Sequence, residues 1–355
     1  MKRTNIWLAG MLCIAAACQD GYIDAIQPVQ PGADEAAPVV TIGYPDKEVV
    51  LIPFTDESTK INFDFEVRDD VEITSIALVL NGNTLTTLDS FKDYRRVAAK
   101  HLSETLPIGD YTLEIVATDA SGKSTTKALD FEISNVYQAK YENEIFYMPF
   151  EGDVYMDLLE NINATKVGSP GFAAGKSGRA YAGATNGYLT VPAADLINDE
   201  FSASFWYKVN AVPDRAGILT MSPPDPTNNN RTSGFRLFRE AAGSKQRIKL
   251  NVGNGTADTW FDGGAAADID AGSDWVHIAF TIAGDRCAVY INGNVVAEGT
   301  YPGISWANCD LLTIGSGAPN FTEWNHLSDL SLIDELRIFD KALTREKIQE
   351  IVEDN

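Results

Sequence analysis

Histidine is nearly missing from this chain: its 355 residues hold only His101, His277 and His326. None of the three has a partner at the helical spacing that a zinc protease uses, so that class is set aside. Positive charge is also short, with 28 Lys and Arg against 50 Asp and Glu and a net charge of -22. Such a surface repels phosphate backbones and argues against nucleic acid as a partner. Long apolar runs are lacking too. The one continuous candidate, Ile6 to Ala17, is twelve residues and too short to cross a bilayer as a helix. Cysteine occurs four times, as Cys13, Cys18, Cys287 and Cys309.

What is present begins with an address. Lys2 and Arg3 precede the short apolar run, which ends Ala15-Ala16-Ala17 immediately before Cys18. A charged start, a short apolar stretch and small residues form a signal peptide over 1–17. Small residues directly before a cysteine resemble a bacterial lipobox, in which cleavage leaves the cysteine as a lipid-modified N-terminus. Ala15 stands where such boxes more often carry Leu; the alternative is an ordinary cleavage site with Cys18 as a spectator. Loss of Lys2 and Arg3 with the leader takes the net charge to -24. The stretch that follows, residues 18–37, is rich in proline and acid and has no alternating apolar pattern, as expected of a flexible tether. Cys13 leaves with the leader, so Cys287 and Cys309 remain. In an exported protein they can form a disulfide or stay separate thiols, and spacing alone does not decide.

Residues 38–135 read as short strands between turns. Ile61, Phe63, Phe65 and Val67 alternate with polar residues, Ile76, Leu78 and Leu80 lead into Asn81-Gly82, and Tyr111, Leu113, Ile115 and Ala117 precede an Asp-Ala-Ser-Gly turn. About a hundred residues of this kind predict an antiparallel sandwich. The order FEVRDD, LVLNG and GDYTLEIVATDASGKS resembles bacterial immunoglobulin-like modules on exported proteins, without the immunoglobulin cysteines. Asp69, Asp70, Asp110 and Asp119 each lie beside a turn, where a carboxylate bonds local backbone N–H groups.

A connector over 136–144 leads to a second pattern spanning 145–355. Val276, Ile278, Phe280 and Ile282 alternate with Trp275, His277, Ala279 and Thr281, which predicts a strand with one buried face. His277 is expected to be a packed or hydrogen-bonded sheet residue. Asn292-Gly293 suits the tight hairpin before Val295. At the end, Thr344 can cap a short helix, with Glu346 near its positive end and Leu343 placed to contact Ile348. The segments YMPFEGD, GKSGRAYAGATNGYLTVP, FSASFWYKV, WVHIAFTIAGDRCAVYINGNVVA and IDELRIFDKAL resemble laminin-G-like jelly rolls of the concanavalin A-like lectin and glucanase superfamily. The expected fold is therefore all-β: an immunoglobulin-like sandwich, then a concanavalin A-like jelly roll with a short C-terminal helix.

That superfamily includes glycosidases, which need paired carboxylates. Its glucanases use Glu-x-Asp-x-x-Glu; here Glu151 and Asp153 are followed by Met156, so the constellation is incomplete and no catalytic residue is assigned. Related carbohydrate-binding modules hold a structural calcium, and the resemblance places its acids at Glu151 and Asp334, whose hard oxygens suit the ion. They also suit solvated surface acids. Sugar binding uses exposed aromatic rings with amides and charged groups nearby. Trp260, Trp306 and Trp324 lie among Gly, Asn, Asp and Ser, as in loops, and Asn229 and Arg231 sit in another polar loop. Each Trp could instead plug a loop onto the sandwich.

The layout resembles surface glycan-binding lipoproteins of foraging Gram-negative bacteria. It implies a non-catalytic outer-membrane lipoprotein that captures polysaccharide or oligosaccharide for uptake. Contact with the membrane would run through the N-terminal lipid only, alongside an outer-membrane transporter complex. The alternatives are an adhesin that binds protein and an unusual glycosidase.

Overall fold

A computed structural model describes residues 33–224 and 231–354, apart from the side chains of residues 99–101 and 324. The described residues form two compact units, 33–50 with Ser58–Ile133 and Leu51–Glu57 with the described part of 134–354. Cys18, the expected leader and most of the expected tether lie outside the described residues. No helix among the described residues is long and apolar enough to cross a membrane.

The first unit has eight strands: β1 (Val39–Tyr44), β2 (Val49–Leu51), β3 (Ser58–Arg68), β4 (Ile73–Leu80), β5 (Asn83–Leu88), β6 (Arg96–Pro107), β7 (Gly109–Asp119) and β8 (Ser124–Ser134). They make a three-stranded sheet, β1-β3-β6, and a five-stranded sheet, β2-β8-β7-β4-β5. Ile61, Phe63, Phe65 and Val67 on β3 and Ile76 and Leu78 on β4 are buried, while their sequence neighbours are more exposed. This is the period-two burial that the alternating sequence predicts. Two of the turn aspartates act locally: Asp69 accepts from the N–H groups of Val71 and Glu72 at 2.9 and 2.7 Å, and Asp119 accepts from Lys123 N–H at 2.8 Å.

The second unit opens with β9 (Glu144–Met148) and the short strands β10 (Met156–Asp157), β11 (Ile162–Asn163), β12 (Thr165–Val167), β13 (Gly171–Ala174), β14 (Arg179–Ala182) and β15 (Tyr188–Pro192). Further strands follow: β16 (Phe201–Lys208), β17 (Arg215–Met221), β18 (Phe235–Ala242), β19 (Lys245–Gly253), β20 (Asp258–Asp262), β21 (Asp268–Asp270), β22 (Val276–Ile282), β23 (Arg286–Ile291), β24 (Asn294–Thr300), β25 (Leu311–Ile314) and β26 (Leu332–Phe339). One sheet runs β12-β15-β25-β17-β18-β19-β20, with β21 on β19; the other runs β13-β14-β26-β16-β22-β23-β24, with β9 on β26. Between them lies a single core that includes Phe201, Phe205, Phe235, Leu250, Ile278, Phe280 and Ile338. Asn292 and Gly293 take φ of 49° and 72°, as the hairpin between β23 and β24 requires.

The sequence predicts one buried face for β22, but the strand is buried on both. Helix α1 (Arg345–Glu353) lays Ile348 over Ala279, Ala288 and Tyr290, covering the face that would otherwise meet solvent. Thr344 caps this helix by accepting from Lys347 N–H at 3.3 Å, and Leu343 packs with Ile348. His277 is fully buried, with its ring 5.4 Å from that of Trp206, and pairs with Ser204 Oγ at 2.8 Å. Burial pushes its pKa down to about 3, so the ring is neutral. Cys287 and Cys309 are separate buried thiols, and burial raises each to about 12.

Residues 136–144 do not act as a free connector; they are built into the second unit. Arg337, on β26, donates to Glu144 and, at 2.8 Å, to Tyr137, and it pairs with Glu335 at 2.9 Å. Its guanidinium lies 3.6 Å from the ring centroid of Tyr147, whose hydroxyl donates to Glu335 at 2.9 Å. Every member of this cluster except Tyr137 is buried. Removing Glu144 leaves the buried guanidinium with one carboxylate, Glu335, in place of two. Glu144→Ala is therefore expected to destabilise the second unit by about 3 kcal/mol, measured by urea unfolding. A change below 0.5 kcal/mol would show that the cluster is replaceable by water.

Candidate functional site

Alternation along β19 and β20 creates the site. Leu250, Val252 and Phe261 point into the core, so Asn251 and Trp260 are directed to the opposite face of the same sheet, and they are register partners. Asn251 is in turn opposite Arg236 on β18, and Arg236 opposite Thr220 on β17. The outer face therefore carries a polar row that ends in Trp260 on β20. Trp260 is 40% exposed, with its ring roughly perpendicular to that of Phe238 at a centroid separation of 5.7 Å.

Arg236 organises the row. It is fully buried and donates to Asn251 Oδ1 and to the backbone oxygen of Arg231, both at 3.1 Å, and also to the backbone oxygen of Ser233. Burial pulls its pKa down to about 10, still well above neutrality. The amide of Asn251 then donates to Asp258 Oδ2 at 2.7 Å. Arg231 sits 3.8 Å from Asp258 and 3.5 Å from Glu323, with its guanidinium 5.8 Å from the Trp260 ring centroid. Glu323 starts the turn Glu323–Asn325, so that loop also reaches the site.

The sequence-based candidates therefore separate. Trp260 and Arg231 come together, but Trp260 is on a strand and not in a loop. Trp306 is elsewhere: its ring packs on Phe201 and Phe235, with centroids 5.7 and 6.2 Å away, and its indole N–H donates to Asn198 O at 2.8 Å. It plugs a loop onto the core and presents no free platform. Asn229 and the Trp324 side chain lie outside the described residues. Asn251, Asp258 and Glu323 were not singled out by sequence. The alternation that marks Phe261 as core would have placed Asp258 and Trp260 on one face.

Residues 183–349 match the Laminin_G_3 family, described as the concanavalin A-like lectin/glucanases superfamily. The second unit carries a concanavalin A-like domain. No curated protein matches the chain. Among solved structures, domain 4 of AbnA, a GH43 extracellular arabinanase from Geobacillus stearothermophilus, in complex with arabinotriose, is 23% identical; the match covers 59% of this chain and 98% of that one, with a TM-score of 0.47. The binding domain of Paraclostridial Mosquitocidal Protein 1 is 16% identical, over 59% of this chain and 52% of that one, with a TM-score of 0.46. The binding domain of botulinum neurotoxin DC in complex with SialylT is 15% identical, over 60% and 52%, with a TM-score of 0.42. This chain thus spans about half the length of the two toxin structures. At TM-scores below 0.5, none of the three bears on function.

Within the concanavalin A-like domain, Glu151 and Asp334 do meet one loop, Gly175 to Gly178. Asp334 Oδ2 accepts from the N–H groups of Lys176 and Ser177 at 2.8 and 3.0 Å, and Oδ1 from Glu335 N–H at 2.9 Å. Glu151 Oε1 accepts from Arg179 N–H at 3.0 Å. A Cβ on Gly175 or Gly178 would stand 2.5 Å from Asp334 Oδ2 or 2.1 Å from Glu151 Oε1, so only glycine admits this approach. Burial pushes the Asp334 carboxyl up to about 7, against the backbone donors that lower it. Calcium needs six or more oxygen ligands. Among the described residues no three His, Cys, Asp or Glu side chains gather as a metal would require, so these two carboxylates fall short of such a set. The arrangement does not fit calcium as it stands.

Two outcomes follow. Calcium and EDTA are expected to leave the melting temperature unchanged; a calcium-dependent rise that disappears in Asp334→Asn would show that the loop opens to admit the ion. Trp306→Ala is expected to cost about 3 kcal/mol in chemical denaturation, and Trp260→Ala less than about 1 kcal/mol, because only the former vacates packed space.

Proposed function

We propose that the concanavalin A-like domain binds carbohydrate at Trp260 without catalysing a reaction, and that the chain is a lipid-anchored outer-membrane protein that captures glycan for uptake. The observation that carries the binding reading is the half-exposed Trp260 ring grouped with Arg231, Asp258 and Glu323 on the outer face of a sheet. An indole face covers the apolar C–H side of a sugar ring, and charged side chains make strong hydrogen bonds to its hydroxyls. The superfamily match supports this reading. Asp153 is paired with Arg179 at 2.6 Å and Glu151 with the loop backbone, so the remnant of the glucanase motif is engaged in structure, which favours binding over hydrolysis.

The anchoring part rests on the sequence Ala15-Ala16-Ala17-Cys18 and the tether after it. In this reading the first unit, immunoglobulin-like by its sequence pattern, acts as a spacer, and an adjacent outer-membrane transporter takes up the captured glycan. Labelled palmitate should enter the native protein and not Cys18→Ala. On a glycan array the intact chain should bind a defined set of sugars, and Trp260→Ala should lower affinity about thirtyfold, as expected for a hot-spot aromatic worth about 2 kcal/mol. Binding untouched by Trp260→Ala would remove the site assignment. Release of reducing sugar by the purified protein would replace the binding reading with an enzymatic one.

A further inference from the structure

The outward positions of β19 continue beyond Asn251. Lys249 and Arg247 follow at intervals of two, on either side of the core residue Ile248 and alongside Asp262 and Asp268 on the neighbouring strands. From Asn251 to Arg247 is four residues of strand, about 13 Å at the usual rise, which exceeds one sugar ring. One side of this strip has a wall: Phe321 and His326 pack on Phe238, and His326 reaches Glu240 at 3.1 Å. On the other side β20 ends the main path of the sheet.

The charges along the strip are arranged in a regular way. Lys249 bridges Glu240 and Asp262, both at 3.0 Å. Arg247 pairs with Asp268 at 2.6 Å and approaches Asp262 at 4.0 Å. Arg231 stands between Asp258 and Glu323. Each of these three cations thus faces two carboxylates, and carboxylates outnumber them along the strip. Burial lowers the pKa of His326, so it adds no positive charge near neutral pH. All of these ion-paired side chains other than the buried His326 retain partial exposure.

We infer that this strip extends the Trp260 site along β19 and selects an uncharged oligosaccharide of several units. The inference rests on carbohydrate binding at Trp260. A carboxylate has about four acceptor positions, so one already paired with a cation still accepts from a sugar hydroxyl. An anionic sugar instead needs a cation released from two carboxylates and meets the surplus negative charge. Neutral hydroxyls can join the ladder without breaking it; uronate or sialate groups cannot.

Isothermal titration of the intact chain tests this with a neutral disaccharide and hexasaccharide of the backbone that the array identifies, and with an oligogalacturonide of equal length. The hexasaccharide should bind at least about tenfold tighter than the disaccharide, the worth of one charge-assisted hydrogen bond, and the oligogalacturonide at least tenfold weaker than the neutral hexasaccharide. Lys249→Gln and, separately, Arg247→Gln should bring the hexasaccharide to disaccharide ratio toward one; thermal melting shows whether each variant is folded. Equal affinity for both lengths, equal affinity for the charged chain, or an unchanged ratio in both folded variants overturns the inference while leaving the Trp260 site standing. Binding that ignores Trp260→Ala, or no carbohydrate binding at all, instead overturns the proposed function on which it rests.

Discussion

Three buried guanidinium groups hold the irregular parts of the concanavalin A-like domain to its sheets. Arg236, Arg239 and Arg337 are at most 2% exposed. A charge removed from water needs partners, and each of the three has at least one outside the regular strands. Arg239 pairs with Asp329 at 2.9 Å and donates to Pro213 O at 2.7 Å, beside a Tyr207 hydroxyl that also binds Asp329. Arg337 fastens the segment before β9 through Tyr137, and Arg236 the chain at residues 231 to 233. Arg236 thereby helps, with the backbone bonds of Thr232 and Gly234, to fix the chain that brings Arg231 near Trp260.

The same constraint explains why the candidate site sits at one end of its polar row. Towards the middle, Thr220 and Thr313 are only 2% exposed, and Thr220 Oγ donates to Ser316 O at 3.1 Å under the loop that follows β25. At β20 the cover runs out. The Trp260 ring stays accessible while its neighbours remain ordered by buried hydrogen bonds, a combination that suits recognition by a rigid site.

Much of the architecture was legible from residues alone. The alternation in β3, β4 and β7, the Asn-Gly hairpin at 292–293 and the Thr344 cap all depend on interactions within a few residues or between adjacent strands. Local pattern was a poorer guide where a distant segment covers a face. β22 looked half-exposed because its cover, helix α1, comes more than sixty residues later. The two tryptophans Trp260 and Trp306 share similar small and polar neighbours, yet one lies on a short edge strand and the other plugs the core. Polar neighbours are equally natural for a loop and for the outward positions of a strand.

The sequence by itself determined the all-β character and the strand pattern of both units, because strand periodicity and turn chemistry are local, and the resemblance of its segments to laminin-G-like jelly rolls implied the architecture of the second. Only the tertiary structure decided that Cys287 and Cys309 stand apart as thiols and that Glu151 and Asp334 are engaged by loop amides. It also gathered Trp260, Arg231, Asp258 and Glu323 at one place. Those outcomes depend on which distant segments cover which face, and on where buried charges find their partners, neither of which is written in any short stretch of chain.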